Sequence, residues 1–223
     1  MKSMDERIAA MRKIFRLLSR IAIALALPLA IASCVGVDAA AKIDAKGAGT
    51  IALEYQLSKE FVQLGSLEST PALPLPLSRD DIEKSMTGLQ GIALKSYAKS
   101  EKGDNTIISF SLAFDSPSSL AAYLDPRGKL AQYRKDGNVS HFTIVFGNEL
   151  PPLDPKMQAS VAEELAPYRF RFSLECPGAA PHIAVTNGDF LKVTSSGKKS
   201  SVESSMADLV TAAQPPQIDI SWE

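Results

Sequence analysis

The chain has 223 residues, 45% of them hydrophobic and 22% charged, with a formal net charge of -1. That balance excludes wholesale disorder and argues against a nucleic-acid binder, and two cysteines cannot build a disulfide scaffold. No apolar run approaches the ~20 residues that a membrane-spanning helix needs.

The first 20 residues carry Lys2, Arg7, Arg12, Lys13, Arg16 and Arg20 against Asp5 and Glu6, and Met11 offers a second possible start. The next 13 residues, 21–33, hold no charge, and Pro28 interrupts them. A basic segment, a short apolar segment and small residues at its end form a secretory leader, read here as 1–33 and cleaved. Ile31-Ala32-Ser33-Cys34 resembles the bacterial lipobox. That match implies diacylglyceryl attachment at Cys34, cleavage before it, and N-acylation by a chain such as palmitate. The mature body, 34–223, then has 18 basic and 23 acidic residues, a net charge of -5. Anionic lipid repels such a body, so the acyl chains are the expected membrane contact. Cys176 is left without a disulfide partner and reads as a small buried apolar residue.

Period-two alternation recurs along the body. A first strand is expected near 35–44 and a second over 50–57, joined by Ala45-Lys46-Gly47-Ala48-Gly49. After them, Phe61, Leu64 and Leu67 take helical spacing over 58–67, and 71–77 is rich in Pro and Leu, read as a connector. A helix over 78–89 opens on a capping Ser78 with Asp80 and Asp81 in its first turn. Strands near 91–101 and over 106–114 flank the turn at Gly103, the second with Ile108, Phe110, Leu112 and Phe114 on one face. Ser116-Pro117 starts a helix to 124. Strands over 129–135 and 139–146 flank Asp136-Gly137, a strong hairpin signal; Phe142, Ile144 and Phe146 share a face. Asp154-Pro155 starts a helix to 165, with Met157, Val161 and Leu165 as its inward stripe. The strand over 168–176 puts Tyr168, Phe170, Phe172, Leu174 and Cys176 on one side. Turns are marked at 187–189 and 196–197, a short helix over 205–213, and a last strand over 217–222 burying Ile218, Ile220 and Trp222.

Catalytic signatures are missing. There is no nucleophile elbow, phosphate loop or dinucleotide fingerprint. His141 and His182 have no metal-spaced companions. Asp80-Asp81 and Glu163-Glu164 read as helix charge. Asn138-Val139-Ser140 matches a glycosylation acceptor that means little beside a lipobox. Arg169 and Arg171 either face solvent or line a groove for an anionic head group; solvent is the favoured reading. No enzyme activity, cofactor or metal is expected.

With the lipobox in place, the chain resembles the LppM-like lipoprotein domain of mycobacteria and other bacteria. The resemblance rests on Cys34-Val35-Gly36-Val37-Asp38, on the hairpin 43–53, and on Leu174-Glu175-Cys176-Pro177-Gly178, Asn187-Gly188 and Ser221-Trp222. It implies an α+β domain with a hydrophobic cavity, linked to lipid or glycolipid binding. Mycobacterial members add a C-terminal membrane span, for which this sequence shows no segment; the resemblance supplies no catalytic residues.

The expectation is one α+β domain over 34–223, a curved, mainly antiparallel sheet with helices on one face, closing round a packed core or an apolar cavity. The protein is expected in the bacterial cell envelope, membrane-anchored on the extracytoplasmic side and non-catalytic. It would bind a lipid or other apolar ligand through Phe110, Phe142, Phe170 and Phe172. The alternative is a structural or assembly lipoprotein that binds another envelope protein through a sheet edge or a loop.

Overall fold

Alternating residues in 35–58 and 105–114 put Ile, Leu, Val and Phe on one side and Ser, Thr, Ala and charges on the other. Such segments bury one face of a sheet and leave the other to water. The computed structural model describes residues 35–59, 62, 76–146 and 154–223. The leader, Cys34, and most of the 58–67 helix and the 71–77 connector lie outside the described residues.

Among the described residues eleven strands form two sheets. The larger contains β1 (Val35–Ile43), β2 (Gly49–Ser58), β3 (Ile92–Lys102), β4 (Asn105–Phe114), β7 (Arg169–Glu175), β9 (Lys192–Ser196) and β10 (Lys199–Ser205), in the order β3-β4-β2-β1-β7-β10-β9. The smaller contains β5 (Ala131–Asp136), β6 (Val139–Val145), β8 (His182–Thr186) and β11 (Gln217–Trp222), in the order β5-β6-β11-β8. Four hairpins fall where turn residues place them. Gly103 and Gly137 both sit at φ 59, a left-handed conformation that glycine adopts without steric cost. All pairings are antiparallel except one: β1 and β7 run parallel, with Val37 opposite Phe170 and Ala39 opposite Phe172. The mixed α+β architecture is as expected; its division into two sheets and its parallel centre are new.

Among the described residues are the helices α1 (Arg79–Ser85), α2 (Pro117–Leu124), α3 (Pro155–Leu165) and α4 (Met206–Thr211). The Ser78 hydroxyl accepts the Asp81 N–H at 3.1 Å and the Asp81 carboxylate accepts the Ser78 N–H at 3.1 Å, a capping box. Asp81 is therefore a cap. The helix ends at Ser85, short of 89: the Thr87 N–H closes a tight turn onto the Lys84 carbonyl, and the Leu89 N–H closes another onto Met86 around Gly88 at φ 83. α3 docks on α4, where the Gln158 side-chain amide donates to the Thr211 carbonyl at 2.9 Å.

Cross-strand register sorts the large sheet into rows. On the inner face one row reads Tyr97, Phe110, Leu53, Ala39, Phe172, Val202 and Val193. Ile51, Leu57, Ile108, Leu112 and Val202 are fully buried there, and each large side chain contributes ~1.5–3 kcal/mol. On the other face Ala52, Glu54, Ser96 and Ala98 are exposed. The covering helices, with Ile82, Leu120, Val161 and Leu165 buried, therefore lie on the inner side. The sheets meet where Phe146, just after β6, packs edge-on against Phe170 at 4.8 Å. The Ser200 hydroxyl also donates to the Pro181 carbonyl at 2.5 Å.

Candidate functional site

β1 runs through the middle of the large sheet and turns its odd-numbered residues inward. Val35, Ala39, Ala41 and Ile43 are 3–7% exposed. Val37 faces the same way, opposite Tyr55 and Phe170, yet it is only half-buried. Ile92, Leu94 and Tyr97 of β3 are half-buried on the same face.

Aromatic rings stand beside Val37. Phe170 stands beside Val37 and is 9% exposed. The half-buried ring of Phe146 lies against it. On the other side Tyr55 meets Phe110 edge-on, with ring centroids 5.6 Å apart. Burial raises the Tyr55 phenol pKa far above its ordinary value, and the nearby Tyr123 phenol of α2 adds to this. Tyr123 is itself raised by burial, partly offset by a hydrogen bond with Ser85. The Tyr55 hydroxyl has no hydrogen-bond partner among the described residues, where every fully enclosed side-chain polar atom has one. The arrangement is an apolar floor with two neutral phenols at one side, suited to an aliphatic chain with a hydrogen-bonding end.

The four phenylalanines expected to hold ligand take different places. Phe110, Phe170 and Phe172 share the inner face of the large sheet; Phe142 is on the small sheet, between Tyr133 and Ile220. Phe110, Phe142 and Phe172 are 2–3% exposed and sit in packed core, while Phe170 stands beside Val37. Val37, Tyr55 and Tyr123 were not singled out from sequence. Alternation shows which side a residue faces, not whether anything covers it.

The other candidates resolve simply. Arg171 bridges Asp38 at 3.3 Å and Glu203 at 3.4 Å on the outward face, half exposed; Arg169 is exposed. His141 and His182 flank Ser221 on the outward face of the small sheet. Among the described residues no group of three His, Cys, Asp or Glu could hold a metal. Cys176 is buried, and desolvation, with Glu175 adding to it, pushes its thiol up to about 11, which makes it unreactive. Two shallow depressions lie elsewhere: one of about 380 Å³ on the outward face over Ala40, Ala52 and Ser111, and one of about 420 Å³ beside the Asp125 loop.

No protein-family model matches the chain and no curated protein matches it. Among solved structures it is similar to the folded domain of the Mycobacterium tuberculosis LppM protein, determined by NMR, at 11% identity and a TM-score of 0.42. The match covers 84% of this chain and 88% of that one. Among the described residues no helix is long and apolar enough to cross a membrane.

Proposed function

We propose that this is a lipid-anchored, non-catalytic protein of the bacterial cell envelope. Acyl chains on Cys34 hold it on the extracytoplasmic side, and it binds a lipid or other apolar ligand in the opening at Val37. The observation that supports this reading is the partial exposure of Val37 in the central strand of the large sheet, beside Phe170. The Phe146–Phe170 pair beside it supports it. Native mass spectrometry of the protein purified from cells tests it. A bound species of lipid mass, lost from a Val37→Phe variant, is the expected result; an empty parent protein would reject ligand binding.

A second reading has its own observation. β9 ends the large sheet, all five of its residues are exposed, and Val193 is 39% exposed. An open edge with an uncovered apolar residue can take a strand from another envelope protein. Pull-down with a Val193→Lys variant separates the readings, since edge binding is lost while the Val37 opening is untouched.

A further inference from the structure

Among the described residues β9 ends the large sheet, and the hydrogen bonds of its neighbours show which of its backbone groups face outward. The Cys176 N–H donates to the Lys198 carbonyl at 3.0 Å, and the Met206 N–H to the Tyr168 carbonyl at 3.0 Å. Bonded and unbonded pairs alternate along an antiparallel ladder. Even-numbered residues of β10 therefore turn their backbone groups to β7, and odd-numbered ones to β9. Register then turns Lys192, Thr194 and Ser196 of β9 toward β10. Val193 and Ser195 turn both N–H and C=O to the open edge, and all five β9 residues are exposed. Two other edge strands are guarded. β3 has a bulge between Leu94 and Ser96 and carries Lys95, Lys99, Glu101 and Lys102, and β5 carries Arg134, Lys135 and Asp136. Bulges and charges discourage pairing with another chain. β9 keeps a regular register and has one charge, Lys192.

We propose that β9 pairs antiparallel with β9 of a second copy of this chain, on a two-fold axis at Thr194. The second reading above gives this edge to a different protein; the inference shares with it only that the edge is open. A partner strand uses the edge fully when its own outward-turned groups lie opposite Val193 and Ser195. β9 meets that requirement itself. With the axis at Thr194, Val193 of each copy faces Ser195 of the other, and each of the two pairs closes two hydrogen bonds. Lys192 faces Ser196, so the one charge of the strand does not meet its like. Asp189, just before β9, and Lys198, just after it, are both exposed. Antiparallel pairing brings each Asp189 to the end that holds Lys198 of the other copy. The two Thr194 side chains meet on the outward face, and threonines directly opposite each other are a favourable cross-strand pair. The contact is isologous and closes on itself, so it makes a dimer and not a fibre.

The test uses the full chain, purified in detergent with micelles in excess over protein. Across the two-fold axis the Thr194 Cα atoms lie about 4.5 Å apart, as an unbonded pair, within disulfide reach. The two Val193 Cα atoms lie about 8–9 Å apart, beyond it. Under copper-phenanthroline oxidation Thr194→Cys should give about tenfold more disulfide dimer than Val193→Cys, both read above the background of the parent. Cys176 is buried and adds to neither. Sedimentation should show the parent as a dimer and Ser195→Pro as a monomer. That proline removes an N–H that β10 does not use, so the circular dichroism of the strands should be kept. Equal cross-linking at 193 and 194, or a parent that sediments as a monomer, would overturn self-pairing. A monomer that captures another envelope protein through β9 overturns it and leaves the second reading standing; a monomer that captures none overturns both.

Discussion

Val37 and Ala39 are two residues apart on one strand and face the same side, yet Ala39 is buried and Val37 only half-buried. In the proposed ligand site that contrast separates a lining residue from a core residue. Asp125 shows a buried charge at work in a purely local task. It caps the end of α2, where its carboxylate accepts backbone N–H groups from Arg127 at 3.0 Å, Ala131 at 3.4 Å and Leu130. Burial alone would raise its pKa, but these donors outweigh it and hold the carboxyl below the ordinary value of 3.8. A lowered folded-state pKa contributes stability that is fully present above the unfolded value, so the urea midpoint should begin to fall as pH drops through about 4. Asp125→Asn should cost about 2–3 kcal/mol at neutral pH, with the gap to the parent narrowing below pH 4 in urea melts run across pH. A gap that stays constant with pH would contradict this account of the loop.

At the scale of elements, hairpins and caps were legible because turn chemistry and alternation are local. Gly103, Gly137 and the Ser116-Pro117 start lie where the sequence places them. The parallel β1–β7 pairing was not legible, because it joins segments some 130 residues apart and period-two patterning does not name a partner. β9 carries no alternating burial at all, being exposed throughout, so only its flanking turns betrayed it. The phenylalanines were read correctly as inward, but the pattern does not separate wall from core. Phe172 lies in the inner row between Ala39 and Val202, at 3% exposure. Phe172→Ala should therefore behave as a core truncation and cost about 3–5 kcal/mol in chemical denaturation. A loss below ~1.5 kcal/mol would place a hollow at Phe172 as well.

At the scale of the whole molecule, the proposed acyl anchor would set the protein at a membrane surface. The leader and lipobox are read from composition and spacing alone, and they lie outside the described residues. Cys34→Ala removes the thiol that accepts diacylglyceryl. The unprocessed precursor should accumulate and labelling with an alkyne fatty acid should vanish; normal processing and labelling of the variant would remove the anchor from this account. The proposed ligand site was not legible, because alternation does not show how fully Val37 is covered.

The most direct measurement fills the proposed site. Val37→Phe and Ala39→Leu add bulk to the same strand face, and both variants can be compared by urea melts and by titration with a hydrophobic fluorescent probe. In an open site the larger Val37 side chain enters empty space, so stability should change by less than about 1 kcal/mol while probe binding is lost. Ala39→Leu should overpack the core and cost about 1–3 kcal/mol, with binding retained in the folded fraction. If Val37→Phe destabilises the protein as much as Ala39→Leu, and the parent binds no probe, the inner face is closed and the ligand-binding account is wrong.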